Sequence, residues 1–421
     1  MLQEKDKIYN NIYGFKGKGL KVATQLGDWQ NIKNILDQGR DWIINELKNS
    51  ALMGRGGAGF STGLKWSFLN IKDPREKYVV INADEGEPGT CKDREIMRHE
   101  PHKLLEGIVI ACFVLGAKVA YIYLRGEYTE CKKELENAIE EAKSSGFLGN
   151  NAFNMLDVEI HVHMGAGAYI CGEETSLLES LEGKAGRPRN KPPFPANYGL
   201  YGKPTVINNV ETIASIPTIL KRGSNWFNKL GKGFTKGSRL FAISGCVNNP
   251  CIFEEEIGIS LKKLIEQHAG GVIGGWENLQ AVIPGGISSQ IINKNICDDI
   301  IMDPENLKQV GSTLGTACMI VFNTSVNLFK IFNIITHFYM HESCGQCTPC
   351  REGSGWVYRI MKKISSNQAT KTDIELLHNI INGIGGNTIC GLGDAITMAV
   401  GGFLKSFYKE IINEVTKVKN V

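Results

Sequence analysis

The sequence has no long apolar run and no strong excess of either charge. Its most apolar stretch, residues 318–339, is interrupted by Asn323, Asn327, Lys330 and Asn333, whereas a transmembrane helix needs about 20 mostly apolar residues. The first residues contain no apolar segment typical of a secretory signal. A formal net charge of +3 gives no indication of nucleic-acid binding. We therefore expect a chain that reaches a membrane only through a partner and binds no nucleic acid.

Cysteine is present, but at a lower density than in disulfide-rich secreted domains. There are twelve cysteines in 421 residues, which favours a reducing compartment where thiols stay available for metal ions. An apolar content of 42% and a charged content of 22% are typical of a globular protein with a large core. The length is sufficient for about three domains.

Three cysteines, Cys344, Cys347 and Cys350, are separated by two residues each. Thiolates bind iron–sulfur clusters or zinc. Zinc sites with four cysteines usually use two separate C-x2-C pairs, so a shared middle cysteine suits three corners of a [4Fe–4S] cluster better. No cysteine follows directly, and Cys390 is the plausible fourth ligand. The motif favours a [4Fe–4S] cluster, with zinc or buried thiols without metal as alternatives.

A glycine-rich segment, residues 54–63, contains five glycines. Their N–H groups can approach phosphate oxygens closely. The segment formally matches G-x-G-x-x-G, but the Rossmann fingerprint needs a strand before it and a helix after it. Here the predicted helix at residues 41–47 precedes, and the first clear strand, residues 77–82, follows. We interpret the segment as a nucleotide-binding loop of another design, with a plain flexible turn as the alternative.

A polar and acidic cluster, residues 82–90, directly follows that strand. Open α/β sheets bind their ligands at this position; a solvated turn is the alternative. Further strands are predicted at residues 119–124 and 156–163, with helices at residues 97–118 and 130–145. This alternation predicts a parallel sheet with helices on its faces.

A second glycine-rich turn, residues 165–176, lies between a predicted strand and a predicted helix. The N-terminus of such a helix is a ready anion site, although Glu173 and Glu174 in its first turn are also explained by helix capping. The basic segment at residues 184–195 is stiffened by prolines and holds Phe194 as a ring available for stacking.

Three domains are predicted from changes in composition. Residues 229–237 are expected to form a linker, and the unit after it combines three strands with one helix. We expect an α/β domain at residues 1–230, a small α+β domain at 237–325 and a helical domain at 326–421.

The last hundred residues are predicted to form four helices. One spans residues 322–340, and the others begin after Gly353, at Thr372, where Glu375 would complete a capping box, and at Asp394. Short loops between such helices predict a bundle. Both cysteine segments then lie in loops that can meet at one end of the bundle.

Together these motifs resemble the flavoprotein (51 kDa-type) subunits of respiratory complex I, which in bacteria are the F subunits of NADH-quinone oxidoreductase. Order and spacing agree from about residue 10 to residue 410. The motifs lie at residues 54–63, 82–89, 165–175, 208–212, 344–350 and 390. The resemblance implies an α/β fold with a Rossmann-like parallel-sheet flavin domain, a small β-grasp-like α+β domain of the soluble-ligand-binding type and a C-terminal four-helix bundle.

The resemblance also implies the cofactors FMN and NAD(H), one [4Fe–4S] cluster, and their binding residues. Aromatic rings would stack on the dinucleotide, asparagines would contact the flavin, and Glu87 and Glu174 would face the nicotinamide. The cofactor-binding residues implied are Gly54, Arg55, Gly56, Gly57, Ala58, Gly59, Phe60, Ser61, Thr62, Gly63, Lys65, Phe68, Asn82, Asp84, Glu87, Gly167, Tyr169, Gly172, Glu173, Glu174, Phe194, Asn208, Asn209 and Thr212. The cluster ligands implied are Cys344, Cys347, Cys350 and Cys390. No residue is expected to act as a nucleophile or general base.

In function, the resemblance implies the NADH-oxidising subunit of a proton-pumping NADH-quinone oxidoreductase. Its partners would be a small [2Fe–2S] subunit and a large multi-cluster iron–sulfur subunit, with the membrane arm contacted only indirectly. It would be a peripheral subunit on the cytoplasmic side of the bacterial inner membrane, or on the matrix side if mitochondrial. Two alternatives are a diaphorase subunit of an NAD-reducing hydrogenase or NAD-dependent formate dehydrogenase, and a non-enzymatic scaffold held by zinc.

Overall fold

A computed structural model describes residues 1–233 and 235–417. The first part of the chain forms a five-stranded sheet with helices packed against it. Its strands are β1 (Tyr78–Ala83), β2 (Val119–Leu124), β3 (Gly149–Ala152), β4 (Leu156–Met164) and β5 (Thr205–Asn209). Its helices are α1 (Leu20–Leu26), α2 (Ile32–Asp37), α3 (Arg40–Asn49), α4 (Thr62–Ser67), α5 (Lys92–His99), α6 (Pro101–Leu115), α7 (Thr129–Ser144), α8 (Glu174–Leu181), α9 (Val210–Arg222) and α10 (Ser224–Lys229). Short 3-10 turns lie at Glu4–Asp6, Tyr169–Gly172 and Leu200–Gly202.

The strand order is β3-β4-β2-β1-β5, and only the edge pair β3–β4 is antiparallel. The central strands β1 and β2 are apolar runs covered on both faces, as is usual in parallel sheets. Helices α6 and α9 pack closely on one face because α6 carries a glycine at the contact. A Cβ atom at Gly107 would lie 2.2 Å from the carbonyl oxygen of Ile213 on α9.

The predicted parallel α/β architecture is confirmed, with two differences in detail. The single helix expected at residues 97–118 is two helices, because Pro101 lacks an N–H group and begins α6. Strand β5 was not predicted. It pairs with β1 in the register Ile81–Asn208 and Asn82–Asn209, so three asparagines lie at the carboxyl edge of the sheet.

The middle part of the chain is a smaller α+β unit. It contains β6 (Ser238–Gly245), β7 (Cys251–Glu256), β8 (Leu279–Ile283), β9 (Ile292–Asn293) and β10 (Cys318–Asn323), with helices α11 (Leu261–His268), α12 (Lys294–Cys297) and α13 (Pro304–Gln309) and a 3-10 turn at Trp276–Asn278. The order is β7-β6-β10-β8-β9, and only β6 and β10 are parallel. The three predicted strands and the predicted helix are present, whereas β7 and β9 were missed.

The C-terminal part is the predicted helical bundle. Its helices are α14 (Leu328–Glu342), α15 (Thr348–Ser365), α16 (Lys371–Ile384), α17 (Gly391–Ser406) and α18 (Tyr408–Lys417). The first four are those expected from the sequence, and α18 is an additional fifth helix. Within the described residues, no helix is both long and apolar enough to cross a membrane.

All four predicted helix starts in this bundle differ from the structure. Helix α14 begins at Leu328, and the expected start at residue 322 lies in β10. Helix α15 begins at Thr348, with Pro349 in its first turn, and Gly353 lies inside it. Glycine is needed there for close packing, since a Cβ atom at Gly353 would lie 2.7 Å from the side chain of Ile384. The capping box of α16 pairs Thr370 with Asp373 and does not involve Glu375.

Helix α17 begins at Gly391, three residues before the expected Asp394. Phe234 of the expected linker and residues 418–421 of the expected third domain lie outside the described residues. The three domain boundaries stay predictions.

Candidate functional site

A cleft of about 300 Å³ lies where the parallel sheet, the α+β unit and the bundle meet. Of the expected cofactor-binding residues, those that line it are Gly56, Gly57, Ala58, Asn82, Asp84, Glu87, Tyr169, Gly172, Glu173 and Asn209. The α+β unit adds Gly285, Ser288, Thr313, Gly315 and Thr316, and the bundle adds Cys390, Gly391, Leu392 and Ala395.

The glycine-rich loop connects α3 to α4, so a helix precedes it as the sequence predicted. The loop is closed by a hydrogen bond of 2.8 Å from the N–H group of Gly54 to the carbonyl oxygen of Phe60. Gly57 has a φ angle of +117°, a backbone conformation that residues other than glycine rarely adopt. Gly56, Gly57 and Ala58 at the tip line the cleft.

The other residues of this loop have supporting roles. The N–H group of Arg55 donates to Thr212 Oγ1 at 2.9 Å, and its guanidinium donates to the carbonyl oxygen of Ser238 at 2.9 Å. Ser61 caps α4. Gly63 packs against α3, where a Cβ atom would lie 2.6 Å from the backbone nitrogen of Lys48. Gly54, Arg55, Gly59, Phe60, Ser61, Thr62, Gly63 and Lys65 do not line the cleft.

Asp84 offers an unused acceptor at the edge of the sheet. Its Oδ2 atom is buried and makes no hydrogen bond, and burial raises the pKa of its carboxyl to about 7. The side chain of Asn82 is occupied, because its Nδ2 donates to the carbonyl oxygen of Gly172 at 2.7 Å. An unpartnered buried carboxyl beside a glycine loop fits a ligand that carries N–H or hydroxyl donors.

Glu87 is held by neighbours from two parts of the chain. The hydroxyl of Tyr169 donates to Oε2 at 2.6 Å, and the N–H group of Ser288 donates to Oε1 at 2.7 Å. Burial raises the pKa of Glu87, while the Ser288 and Tyr169 hydrogen bonds lower it. Both carboxylate oxygens therefore have a partner within the chain.

The two neighbouring glutamates differ in role. Glu173 caps α8 by accepting from the N–H groups of Thr175 and Ser176 at 2.8 and 2.9 Å, so the capping interpretation holds for it. Glu174 is paired with Lys65 at 3.2 Å and Lys191 at 2.8 Å. Burial raises the pKa of Glu174, but the two lysines lower it further, and the net shift is downward.

The three aromatic rings expected to stack on a dinucleotide are exposed. Phe60 is 49% exposed, and Phe68 and Phe194 are each 55% exposed. The rings of Phe60 and Phe68 lie 6.1 Å apart and tilted. The rings are free to cover a planar ligand, although none of the three lines the cleft itself.

Asn208 and Asn209 point to different partners. Asn208 is buried, and its Oδ1 accepts from the indole N–H of Trp66 at 2.9 Å. Asn209 lines the cleft and accepts weakly from the N–H group of Thr212 at 3.4 Å. Asn208, Thr212, Glu174, Gly167, Phe68 and Phe194 do not line the cleft, so the structure assigns Asn209 and not Asn208 to its wall.

The four predicted cluster cysteines come together around a second, small cavity. Cys344 and Cys347 come from the segment between α14 and α15, Cys350 from the first turn of α15, and Cys390 from the end of the loop between α16 and α17. Cys347 and Cys390 are the N-cap residues of α15 and α17, and a helix N-terminus stabilises a thiolate. Four soft sulfur donors from two loops fit an iron–sulfur cluster.

Cys350 and Cys390 of this cavity have raised pKa values. Burial raises the pKa of Cys350, and it raises the pKa of Cys390 to about 11, so a bound metal must displace these protons. Within residues 1–233 and 235–417, no group of three or more His, Cys, Asp or Glu side chains surrounds the position of a single metal ion.

The cleft and the cysteine cavity share part of their walls. Ile170, Cys390 and Leu392 line both. One of the four cysteines is thus in contact with the space beside the glycine loop.

Several residues of the cleft were missed by sequence reasoning. The missed wall residues include Lys92, Asp93, Ser288, Thr316 and Leu392, whereas Glu85 and Thr90 belong to the polar and acidic cluster at residues 82–90. Lys92 and Asp93 are fully buried, but charged residues at the start of a helix give no such signal. Lys191 belongs to the basic segment that the sequence did single out, and only the fold shows its pairing with Glu174.

Comparison with known proteins gives one consistent result. Family models match the chain as the Nuo51 FMN-binding domain over residues 47–218, the SLBB domain over residues 239–321 and the NADH-ubiquinone oxidoreductase-F iron-sulfur binding region over residues 330–414. The NADH-quinone oxidoreductase F subunit of Rickettsia typhi is 54% identical, with 98% of both chains covered. The corresponding F subunit of Rhodobacter capsulatus is 52% identical, with 98% of this chain and 96% of that protein covered.

A solved structure of NAD+-reducing [NiFe]-hydrogenase in the H2-reduced state is also similar, with a TM-score of 0.83 and 33% identity. The match covers 91% of this chain and 64% of the hydrogenase chain, so this chain spans under two thirds of that relative's length. The resemblance inferred from the motifs is confirmed: the chain belongs to the family of NADH-quinone oxidoreductase F subunits.

Proposed function

We propose that the chain is the NADH-oxidising subunit of an NADH-quinone oxidoreductase, with FMN and NADH in the cleft and a [4Fe–4S] cluster on Cys344, Cys347, Cys350 and Cys390. When bound, FMN would supply the conversion between NADH, which gives up two electrons as a hydride, and the cluster, which accepts one electron at a time. The observation that carries this proposal is the wall shared by the two cavities at Ile170, Cys390 and Leu392.

The residues of the chain bind and orient; they do not react. The tip of the glycine loop offers backbone N–H groups to phosphate, and the free Oδ2 of Asp84 accepts from a donor on the flavin or the dinucleotide. Glu87 is fixed by Tyr169 and Ser288 and would face the nicotinamide. No nucleophile or general base is needed, because hydride transfer between the cofactors exchanges no proton with a side chain.

The charges around Glu174 serve the dinucleotide in this proposal. Lys65 and Lys191 hold the carboxylate between them, so a polar group of NADH meets an ionised acceptor next to two cations. Phe60, Phe68 and Phe194 supply exposed rings on which the planar rings of NADH can stack. Such stacking needs a flat face and depends little on which heterocycle supplies it.

Composition of the purified protein tests this proposal. Flavin and iron analysis together with the visible spectrum should give one FMN and four irons for each chain, with flavin bands on a broad iron–sulfur background. A protein that contains zinc in place of iron and no flavin would contradict the proposal and favour the scaffold alternative.

As a subunit of a respiratory complex, the chain requires acceptors for its electrons. We propose a small [2Fe–2S] subunit and a large multi-cluster subunit as its direct neighbours, with the chain peripheral on the cytoplasmic side of the inner membrane, or the matrix side in a mitochondrion. Purification from washed membranes with its partner subunits tests this arrangement.

The similarity to an NAD+-reducing hydrogenase favours one alternative, a diaphorase that shares the same first step. That similarity is weaker, at 33% identity against 54% for the Rickettsia typhi protein. Recovery of the chain with hydrogenase subunits and without quinone reductase activity would decide for the alternative.

A further inference from the structure

Lys92 is a buried cation at the wall of the cleft that the proposed function does not yet use. It is the first residue of α5 and is fully buried. Its Nζ lies 2.8 Å from Asp93 Oδ1 and 2.9 Å from Glu211 Oε2. Such buried pairs usually add little net stability, because removing both charges from water costs about as much as their attraction returns. A role other than stability is therefore worth seeking.

Lys92 and Asp93 together fix the amide of Asn209. The Nδ2 atom of Asn209 donates to Asp93 Oδ2 at 2.6 Å, and its Oδ1 atom is 3.4 Å from Lys92 Nζ. Turning the amide over would place the NH2 group against the ammonium and the oxygen against the carboxylate. The orientation of Asn209 at the cleft wall is thus set by these two charges.

Asn209 in turn supports the glycine loop. A Cβ atom at Gly56 would lie 3.2 Å from the Cβ atom of Asn209, so the loop tip packs directly on this side chain. Displacement of Asn209 would move both a polar group of the wall and the backbone that faces phosphate.

The charge of Lys92 is also unusual in its surroundings. Among the described residues that line the cleft it is the one lysine or arginine, whereas the carboxyl residues there are Asp84, Glu85, Glu87, Asp93 and Glu173. Burial lowers the pKa of Lys92, but Asp93 and Glu211 raise it by more, and the net shift is upward. The ammonium group therefore stays charged at physiological pH.

We propose that Lys92 is a positioning residue for Asn209 and that its positive charge makes the cleft bind reduced FMN more tightly than a neutral side chain would. The proposal rests on the proposed function. Reduced flavin carries more negative charge than oxidised flavin, and a cation in a poorly hydrated wall acts on it with little screening.

The test is a redox titration of the purified enzyme complex, with FMN binding to the deflavinated protein followed by fluorescence. In Lys92→Met we expect a tenfold greater loss of affinity for reduced than for oxidised FMN, which lowers the two-electron midpoint potential by about 30 mV. Lys92→Arg keeps the charge and should restore most of the potential. Lys92→Gln also removes the charge but keeps a polar end group, and it should show the same lowering if Lys92→Met folds poorly.

Lys103→Met is the matched control. Lys103 lies on α6, is also buried and is paired with Asp28 at 2.6 Å, but it does not line the cleft. This variant should lose stability and keep the wild-type potential. An unchanged potential in folded Lys92→Met or Lys92→Gln, an equal change in Lys103→Met, or failure of both neutral Lys92 variants to fold would overturn the proposal. A wild-type protein that binds no FMN would instead refute the proposed function.

Discussion

The N–H group of Ser288 donates to Glu87 Oε1 across 2.7 Å, and this hydrogen bond joins the α+β unit to the acidic loop of the parallel sheet. Tyr169 holds the other oxygen of the same carboxylate at 2.6 Å. The position of Glu87 is therefore determined by a tyrosine that follows β4 and a serine that follows β8. The α+β unit thus takes part in the site and is more than a spacer.

Tyr169→Phe should weaken NADH binding without removing FMN. The change deletes the hydroxyl that fixes Glu87 Oε2, and a hydrogen bond to a charged group contributes about 1.5–3 kcal/mol. We expect KM for NADH to rise about tenfold while flavin content stays at the wild-type level, measured by steady-state kinetics and flavin analysis. Tyr121→Phe, on β2 and outside the cleft, is the control and should leave KM unchanged. An unaltered KM in Tyr169→Phe would contradict the role given to Glu87.

Glu174→Ala should also raise KM for NADH more than it lowers flavin content, because it leaves Lys65 and Lys191 without their shared partner. The double variant Glu87→Ala/Glu174→Ala should bind NADH more weakly still. Wild-type kinetics in that double variant would show that neither carboxylate faces the dinucleotide.

Asp84 should make the flavin-free protein less stable as pH rises. Its pKa is about 7 in the folded chain and about 3.9 when unfolded, so the folded state holds the proton more tightly. The stabilisation is complete below pH 4 and is lost as pH rises through 7, by up to about 1.4 kcal/mol per pH unit.

Asp84→Asn removes this dependence. Urea unfolding at pH 5 and pH 8 should show a smaller loss of unfolding free energy in the variant than in the wild type. Because Glu85 and Glu254 also have pKa values raised to about 7 by burial, only the difference between the two proteins is informative. Equal pH dependence in both would exclude a raised pKa at Asp84.

Gly57→Ala should lower the affinity for FMN about tenfold. The φ angle of +117° at Gly57 costs an alanine roughly 1–2 kcal/mol, and the loop can escape this strain only by changing the shape of its tip. Gly39→Ala is the matched control for Gly57→Ala, since Gly39 has a φ angle of +83° and open space around it but lies outside the cleft. It should lose similar stability and keep its FMN. Equal FMN affinity in both variants would show that the tip of the glycine loop does not contribute to FMN binding.

Much of the fold and site could be predicted from the sequence because the signals are local. The x2-x2 spacing of Cys344, Cys347 and Cys350 and the alternation of strands and helices each depend on neighbours in the chain. The four cysteines and the wall residues Gly56, Asp84, Glu87 and Tyr169 were all expected, and the structure brings them to two adjoining cavities.

The features of the fold and site that could not be predicted from the sequence depend on tertiary contacts. Asn208 and Asn209 are neighbours on one strand, and successive side chains of a strand point to opposite faces, so only one of them reaches the cleft. Lys92 is a charged residue at a helix start that the packing of α9 buries. Gly353 suggested a helix boundary, but its small size instead lets α15 pack against Ile384.

In the proposed function, electrons pass from NADH through FMN in the cleft to a cluster on the four cysteines. The most direct test of this transfer is anaerobic mixing with NADH, followed by absorption in time and by electron paramagnetic resonance, for wild type and Cys390→Ala, with Cys246→Ala as the control. In the wild type and the control, flavin absorption should bleach and a reduced [4Fe–4S] signal should appear; in Cys390→Ala the flavin should still bleach and that signal should be missing. A wild-type protein whose flavin does not bleach, or a Cys390→Ala protein that keeps the cluster signal, would contradict the account.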